Sequence, residues 1–192
     1  MDREEMGALL SPMFGKIAHD GDLVLKALNL PKDAAILDVG TGAGTFAIFL
    51  ASEGFNVLTG EPETDTSHYA GKDWASNAEK VGLRDKIRFQ AFDAGAMPFA
   101  DGAYDAVFFF GVLHHIDEAI RADVLKEALR VAGNKGSVVF FEPRQETLEK
   151  LWTTDPDHPL AANPADYLPG KDVSEQKLEG QMMNIYIYRN AA

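Results

Sequence analysis

The stretch ILDVGTGAG at residues 36–44 constrains this chain most. An apolar run ends in an acid and three glycines spaced two apart, and a helical pattern follows. Gly40, Gly42 and Gly44 allow backbone dihedrals closed to other residues and leave no Cβ between chain and ligand. The helix that follows offers unpaired N–H groups and the positive end of its dipole. A sheet presents a small, nucleotide-like ligand to a helix N-terminus in this way, so an α/β fold is expected.

The glycine spacing narrows the ligand. In a dinucleotide fingerprint two residues separate the second and third glycines, and the strand end carries no acid. Here one residue separates them, and Asp38 stands two before Gly40. A carboxylate there repels a pyrophosphate but suits an ammonium group, such as that on the methionine part of S-adenosylmethionine, a sulfonium with no phosphate. Charge complementarity selects that cofactor over a nicotinamide dinucleotide, which leaves a nicotinamide-dependent oxidoreductase as the weaker reading.

Further landmarks follow in order. A helix at about residues 44–53 leads to a strand at 55–60 (FNVLTG), and Glu61 closes it, seventeen positions after Gly44. A third strand, IRFQAFDA, spans 87–94; a fourth, 104–110, runs into GVLHHID at 111–117; a fifth spans 136–142. With these features the chain resembles the class I S-adenosylmethionine-dependent methyltransferases. The phrase MPFADGAYDAVFFFGVLHHI most closely resembles the small-molecule members of the quinone-biosynthesis type.

The resemblance implies a doubly wound, Rossmann-like, mostly parallel seven-stranded sheet. Its order is 3-2-1-4-5-7-6, with strand 7 antiparallel and helices on both faces. It implies S-adenosyl-L-methionine as cofactor and S-adenosyl-L-homocysteine as product. Asp38, Gly40, Thr41, Gly42 and Gly44 belong to its cofactor site. Glu61 accepts from the two ribose hydroxyls, Asp93 binds the adenine amine, and Phe92 and Ala94 flank the ring. Pro62, Gly111 and Val112 complete the set. Pro62 and the stretch EPETDTSHYAGKDW depart from the family, where a serine and a smoother helix start are usual.

With 192 residues, 46% of them hydrophobic, one domain over residues 1–192 is expected. A formal net charge of -12 and the lack of any Lys/Arg run disfavour nucleic acid as a partner. The absence of cysteine excludes disulfides, thiolate metal sites and thiol nucleophiles. The acidic start MDREEMGALL is unlike a secretory signal, and the longest apolar run, AVFFFGVL, is too short to span a membrane. A cytoplasmic protein without membrane contact is the expectation.

A helix is predicted at 22–30, and strands and helices alternate through Glu142. Four prolines make residues 152–171 a loop, and the alternation on either side of Gly180 predicts an antiparallel hairpin. Only residues 1–20 and the proline-rich loop are available to cover an acceptor. The acceptor then brings its own cover, a second copy helps in a homodimer, or the loop folds over.

Methyl transfer from a sulfonium is an in-line displacement in which a protein base is needed only for a protonated acceptor. His114 and His115 are the catalytic candidates, His114 the better one; adjacent histidines at a strand end cannot both face the same way, so one of them is expected to be a structural group bonding backbone. Adjacent histidines also rarely chelate one ion, and with no cysteine nearby no metal is expected. His19, His68, Tyr69, Trp152 and His158 lie in segments that can line an acceptor pocket, although packing or surface roles are the plainer reading. The partner expected is a small-molecule methyl acceptor. The rival is a non-catalytic domain that only holds S-adenosylmethionine or its demethylated product.

Overall fold

The computed structural model describes residues 1–67, 69–170 and 172–191; His68 lies outside them. Strands β1 (Ile36–Val39), β2 (Val57–Gly60), β3 (Ile87–Phe89), β4 (Ala106–Phe110) and β5 (Ser137–Pro143) pair in parallel. β6 (Val173–Glu179) and β7 (Met183–Asn190) form the expected hairpin, and β7 pairs antiparallel with β5. The sheet order is β3-β2-β1-β4-β5-β7-β6, as the resemblance implies.

Period-two alternation divides the strand side chains between two cores. Ile36, Phe108, Val139, Phe141 and Ile185 face one side; Leu37, Val107, Phe109, Val138 and Phe140 face the other. Helices α1 (Arg3–Leu10), α2 (Phe14–Leu28), α3 (Thr45–Ser52) and α4 (Trp74–Lys80) pack into the first core, and α5 (Arg121–Ala132) into the second. α6 (Gln145–Leu151) follows β5. Each fully buried Val, Leu or Phe contributes about 1.5–3 kcal/mol, whereas the exposed Arg3–Asp22 and Arg3–Glu53 pairs are worth about 0–1 kcal/mol. Apolar burial therefore holds the layers together. α3 is buried nearly all round because α2 lies on one side of it and the sheet on the other.

Some boundaries differ from the sequence reading. The helix predicted at 22–30 is the last part of α2, which starts at Phe14 and stops where Asn29 turns left-handed. α1 was not anticipated; Asp2 and Glu5 form its capping box. The third strand, expected to reach residue 94, stops at Phe89. It has a single neighbour at the sheet edge, and beyond it the Gln90 N–H reaches Thr59 O and the Phe92 N–H reaches Glu61 O. Asp93 then turns the chain by accepting from the Gly95 N–H at 2.7 Å. No helix among the described residues is long and apolar enough to cross a membrane.

Candidate cofactor and acceptor site

The C-terminal ends of β1 to β4 open into a cavity of about 620 Å³. Open α/β sheets bind ligands at this edge. At Gly40, φ is +87° and a Cβ would lie 2.4 Å from a Val112 methyl. At Gly44, the N-cap of α3, φ is +76° and a Cβ would press on Trp74 at 2.9 Å. Both positions require glycine for conformation and for space. Between them the Gly42 N–H donates to Glu61 Oε2 at 2.8 Å.

Of the residues expected to hold the cofactor, Gly40, Thr41, Gly42, Glu61, Pro62, Phe92, Asp93, Ala94, Gly111 and Val112 line this cavity. Asp38 and Gly44 lie behind the wall. The parallel register sets Asp38 beside Thr59, whose hydroxyl donates to Asp38 Oδ2 at 2.8 Å. The Thr41 hydroxyl lies 2.9 Å from that of Thr59. Asp38 is 2% exposed, and its Oδ1 has no hydrogen-bond partner among the described residues. Burial pushes this carboxyl up to about 7; the Thr59 bond opposes the shift and the Glu61 charge adds to it. A positive group bound above it would relieve that cost.

Glu61 uses both oxygens, with Oε1 accepting from the Gly71 N–H at 2.8 Å. A carboxylate offers about four lone-pair positions, so capacity for a diol remains. The loop at 62–73 supplies Thr64, Asp65, Ser67, Tyr69, Ala70 and Lys72 to the cavity. The sequence marks His68 and Tyr69 of this loop as possible pocket residues, but the loop as a whole was not expected to form part of the cover. Its length was the available signal, since strand-to-helix connections usually run 2–6 residues. Ile17 of α2 and Phe46 of α3 also reach the cavity.

The two histidines beyond β4 separate. His115 lines the cavity beside Tyr69, with ring centroids 4.3 Å apart. His114 is buried behind it, Nδ1 lying 2.9 Å from Glu142 Oε2. Glu142, at the end of β5, also accepts from the Ala162 N–H at 2.8 Å and so anchors the proline-rich loop. An acid closing the apolar run SVVFFEP was the signal for it. His115 is pushed down to about 3, by loss of hydration first and then by His114 and His158; its accessible surface gives onto the cavity. It is therefore neutral near pH 7, able to accept a hydrogen bond but weak as a proton acceptor.

The remaining candidates divide. Tyr69 lines the cavity and hydrogen-bonds Asp155, linking the 62–73 loop to the proline-rich loop. His158 stands beside Tyr69 and His115. Trp152 donates its indole N–H to His158 O at 2.8 Å. His19 instead pairs with Asp20 on α2 at 3.2 Å.

This chain is similar to several known methyltransferases. A demethylmenaquinone methyltransferase of Renibacterium salmoninarum is 32% identical over 145 residues, 74% of this chain and 55% of that one. A ubiquinone/menaquinone biosynthesis C-methyltransferase of Citrifermentans bemidjiense is 29% identical over 163 residues, 75% of this chain and 67% of that one. The chain spans about half the length of the first curated relatives it matches. Among solved structures, a geranyl diphosphate methyltransferase in complex with SAM has the same fold, with a TM-score of 0.63 at 13% identity over 91% of this chain and 85% of that one. So does the cyclase SpnF, with a TM-score of 0.67 at 18% identity over 91% and 81%. Fold alone does not choose between such chemistries. The model of the methyltransferase domain, however, matches residues 37–140, from β1 into β5, and by that match the chain belongs to the methyltransferase domain family.

Proposed function

We propose that this protein transfers a methyl group from S-adenosyl-L-methionine to a small, hydroxylated aromatic acceptor. The observation that carries this reading is the order of polar groups along the sheet edge. Across β3, β2, β1 and β4 come Asp93, Glu61, the glycine loop over Asp38, and Gly111. An amine acceptor, a diol acceptor and a buried negative charge in that order fit a purine, a ribose and an amino acid. Asp38 Oδ1, buried and without a partner among the described residues, fits the ammonium.

Bound there, the cofactor supplies an electrophilic methyl on a sulfonium, and the protein's part is binding and orientation. Gly40 and Gly42 bring backbone close to the ligand, Glu61 fixes the sugar, and Phe92 and Ala94 pack against the purine. Past β4, Phe46, Phe110, Tyr69 and His115 make an aromatic chamber. That lining suits a flat ring, and the names of the quinone-pathway relatives support the same acceptor class. His115, neutral near pH 7, accepts a hydrogen bond from an acceptor hydroxyl. Glu142 fixes the His114 ring behind it. The net charge of -12 supports a small-molecule acceptor over nucleic acid.

Calorimetry with S-adenosylhomocysteine and a mass-spectrometric methylation assay over phenols, hydroquinones, amines and carboxylates test the reading. Stoichiometric binding with transfer to a ring-bearing acceptor is expected. Binding without turnover on any acceptor would leave a non-catalytic cofactor-holding domain in its place, and no binding would remove both.

A further inference from the structure

Three of the five histidines converge, although they come from two distant segments. His114 and His115 sit in a 3-10 turn after β4, and His158 arrives on the proline-rich loop. One ring nitrogen from each lies within 4.8 Å of the other two. The ring centroids are 4.2, 5.2 and 5.1 Å apart. For a metal about 2.0–2.1 Å from each nitrogen, geometry puts rings sharing it roughly 4.5–5.2 Å apart, centroid to centroid. Both spacings to His158 fall in that range, and the His114–His115 spacing falls slightly short of it. The nitrogens themselves would have to close to roughly 3.3 Å, an adjustment of the rings rather than of the fold.

The outer side of the cluster is built as a metal's supporting shell is built. His158 Nδ1 lies 2.9 Å from Pro159 O. A carbonyl only accepts, so this ring carries its hydrogen on Nδ1 and presents a lone pair on Nε2. His114 Nδ1 faces the Glu142 carboxylate at 2.9 Å in the same way. Metal-binding histidines nearly always give their other N–H to a carboxylate or carbonyl. Glu142 is 1% exposed and its Oε1 has no hydrogen-bond partner among the described residues. The His114 ring is the ionisable neighbour of this carboxyl among the described residues, and a metal on the far side of His114 would polarise its N–H toward Glu142.

We propose that His114, His115 and His158 form a three-imidazole site for a divalent transition metal of the zinc type. Neutral imidazoles suit zinc, cobalt, nickel and iron, and the absence of cysteine selects against sites built on thiolate. The expectation that adjacent histidines do not chelate was formed without the third ligand that folding brings in. His114 and His158 are buried while His115 is open to the cavity. The remaining coordination position therefore faces the chamber, as in three-ligand sites that keep one place for water or substrate. With a metal bound, the single lone pair of His115 goes to the ion, so an acceptor oxygen would meet the metal in place of that ring; that step rests on the methyl-transfer reading, and the metal site does not.

The test titrates untagged, chelator-stripped full-length protein with Zn²⁺ alone against a colorimetric zinc indicator. Co²⁺ absorption reports the coordination. One equivalent is expected, with His158→Ala losing affinity about a hundredfold and Glu142→Gln about tenfold, while His19→Ala keeps wild-type affinity. Far-UV circular dichroism checks that His158→Ala folds; if it does not, His115→Ala, with the same expected loss, takes its place. No stoichiometric binding by the wild type, or equal binding by whichever of these two variants folds, overturns the site. Calorimetry with S-adenosylhomocysteine in metal-free buffer is run in parallel, so failure of the metal site and failure of the cofactor reading are told apart.

Discussion

Two aspartates, each almost completely buried, sit under different parts of this molecule. Asp20, at 0% exposure, lies on α2 below the turn of the β6–β7 hairpin. Its carboxylate accepts backbone N–H bonds from Gln181 at 2.5 Å and from Met182 and Met183 at 3.0 Å each. Asp38, at 2%, accepts one hydroxyl at one oxygen and nothing from the described residues at the other. Burying a carboxylate is costly unless hydrogen bonds replace its water. Asp20 meets that condition with the protein's own groups and ties the second half of the chain to the first. Asp38 does not, and it sits directly behind the glycine loop that lines the cavity. Saturation marks the structural acid, and a missing partner marks the one kept for a ligand.

The largest expected effect tests the first half of this contrast. Asp20→Ala leaves three hairpin N–H groups without their acceptor and should lower unfolding free energy by about 3–5 kcal/mol, read from urea denaturation. Affinity of the folded fraction for S-adenosylhomocysteine should stay within a factor of about two, because Asp20 lies away from the cavity. A loss below about 1 kcal/mol would mean that the hairpin turn does not depend on this acid.

Asp38→Asn should do the opposite at high pH. The wild-type carboxyl titrates at about 7 in the folded protein and near 3.9 in the unfolded chain. Between those values the folded state holds the extra proton, so wild-type stability falls as pH rises from about 4 to 7 and stays reduced above. The asparagine variant lacks that slope and should be more stable than wild type at pH 8 by roughly 2–4 kcal/mol. Cofactor affinity should fall about tenfold, the size of one lost charge-assisted bond. Binding an ammonium expels the proton, so wild-type affinity should rise about tenfold per pH unit below 7, and the variant should show no such rise. Parallel pH profiles for both proteins would detach Asp38 from the ligand.

The same contrast explains what could be read from the chain beforehand. Glycines at residues 40, 42 and 44, the acids at strand ends and the alternation of apolar runs are local patterns; they pointed to an α/β fold and carried the family resemblance, which in turn implied the sheet order and the cofactor-site residues. Asp20 was invisible because its partners lie more than 160 positions away, and because it precedes the helix predicted at 22–30. Glu142 escaped for the same reason, and His158 was legible only as a possible pocket residue: each gains its full meaning when β5 and the proline-rich loop come to rest beside His114. The loop at 62–73 could be counted but not placed, since its contacts with Glu61 and Asp155 are tertiary.

Glu61 stands between the two aspartates and supplies the finest test of the contrast. It is half-buried, both its oxygens already accept backbone N–H bonds, and it still lines the cavity. Glu61→Gln replaces one acceptor with a donor that faces the N–H of Gly42 or Gly71, so one loop is released and a diol loses an acceptor. Because Glu61 is only half-buried and its bond to the Gly71 N–H is exposed, the expected stability loss is below about 1 kcal/mol, while affinity for S-adenosylhomocysteine should drop by about 1–2 kcal/mol. Adenine alone, which lacks the diol, should bind both proteins alike. A variant that loses stability as Asp20→Ala does, with nucleoside affinity intact, would place Glu61 with the structural acids. In that case a carboxylate whose oxygens are both occupied would be structural even on a cavity wall, and Asp38 would be the single ligand-directed acid of the three.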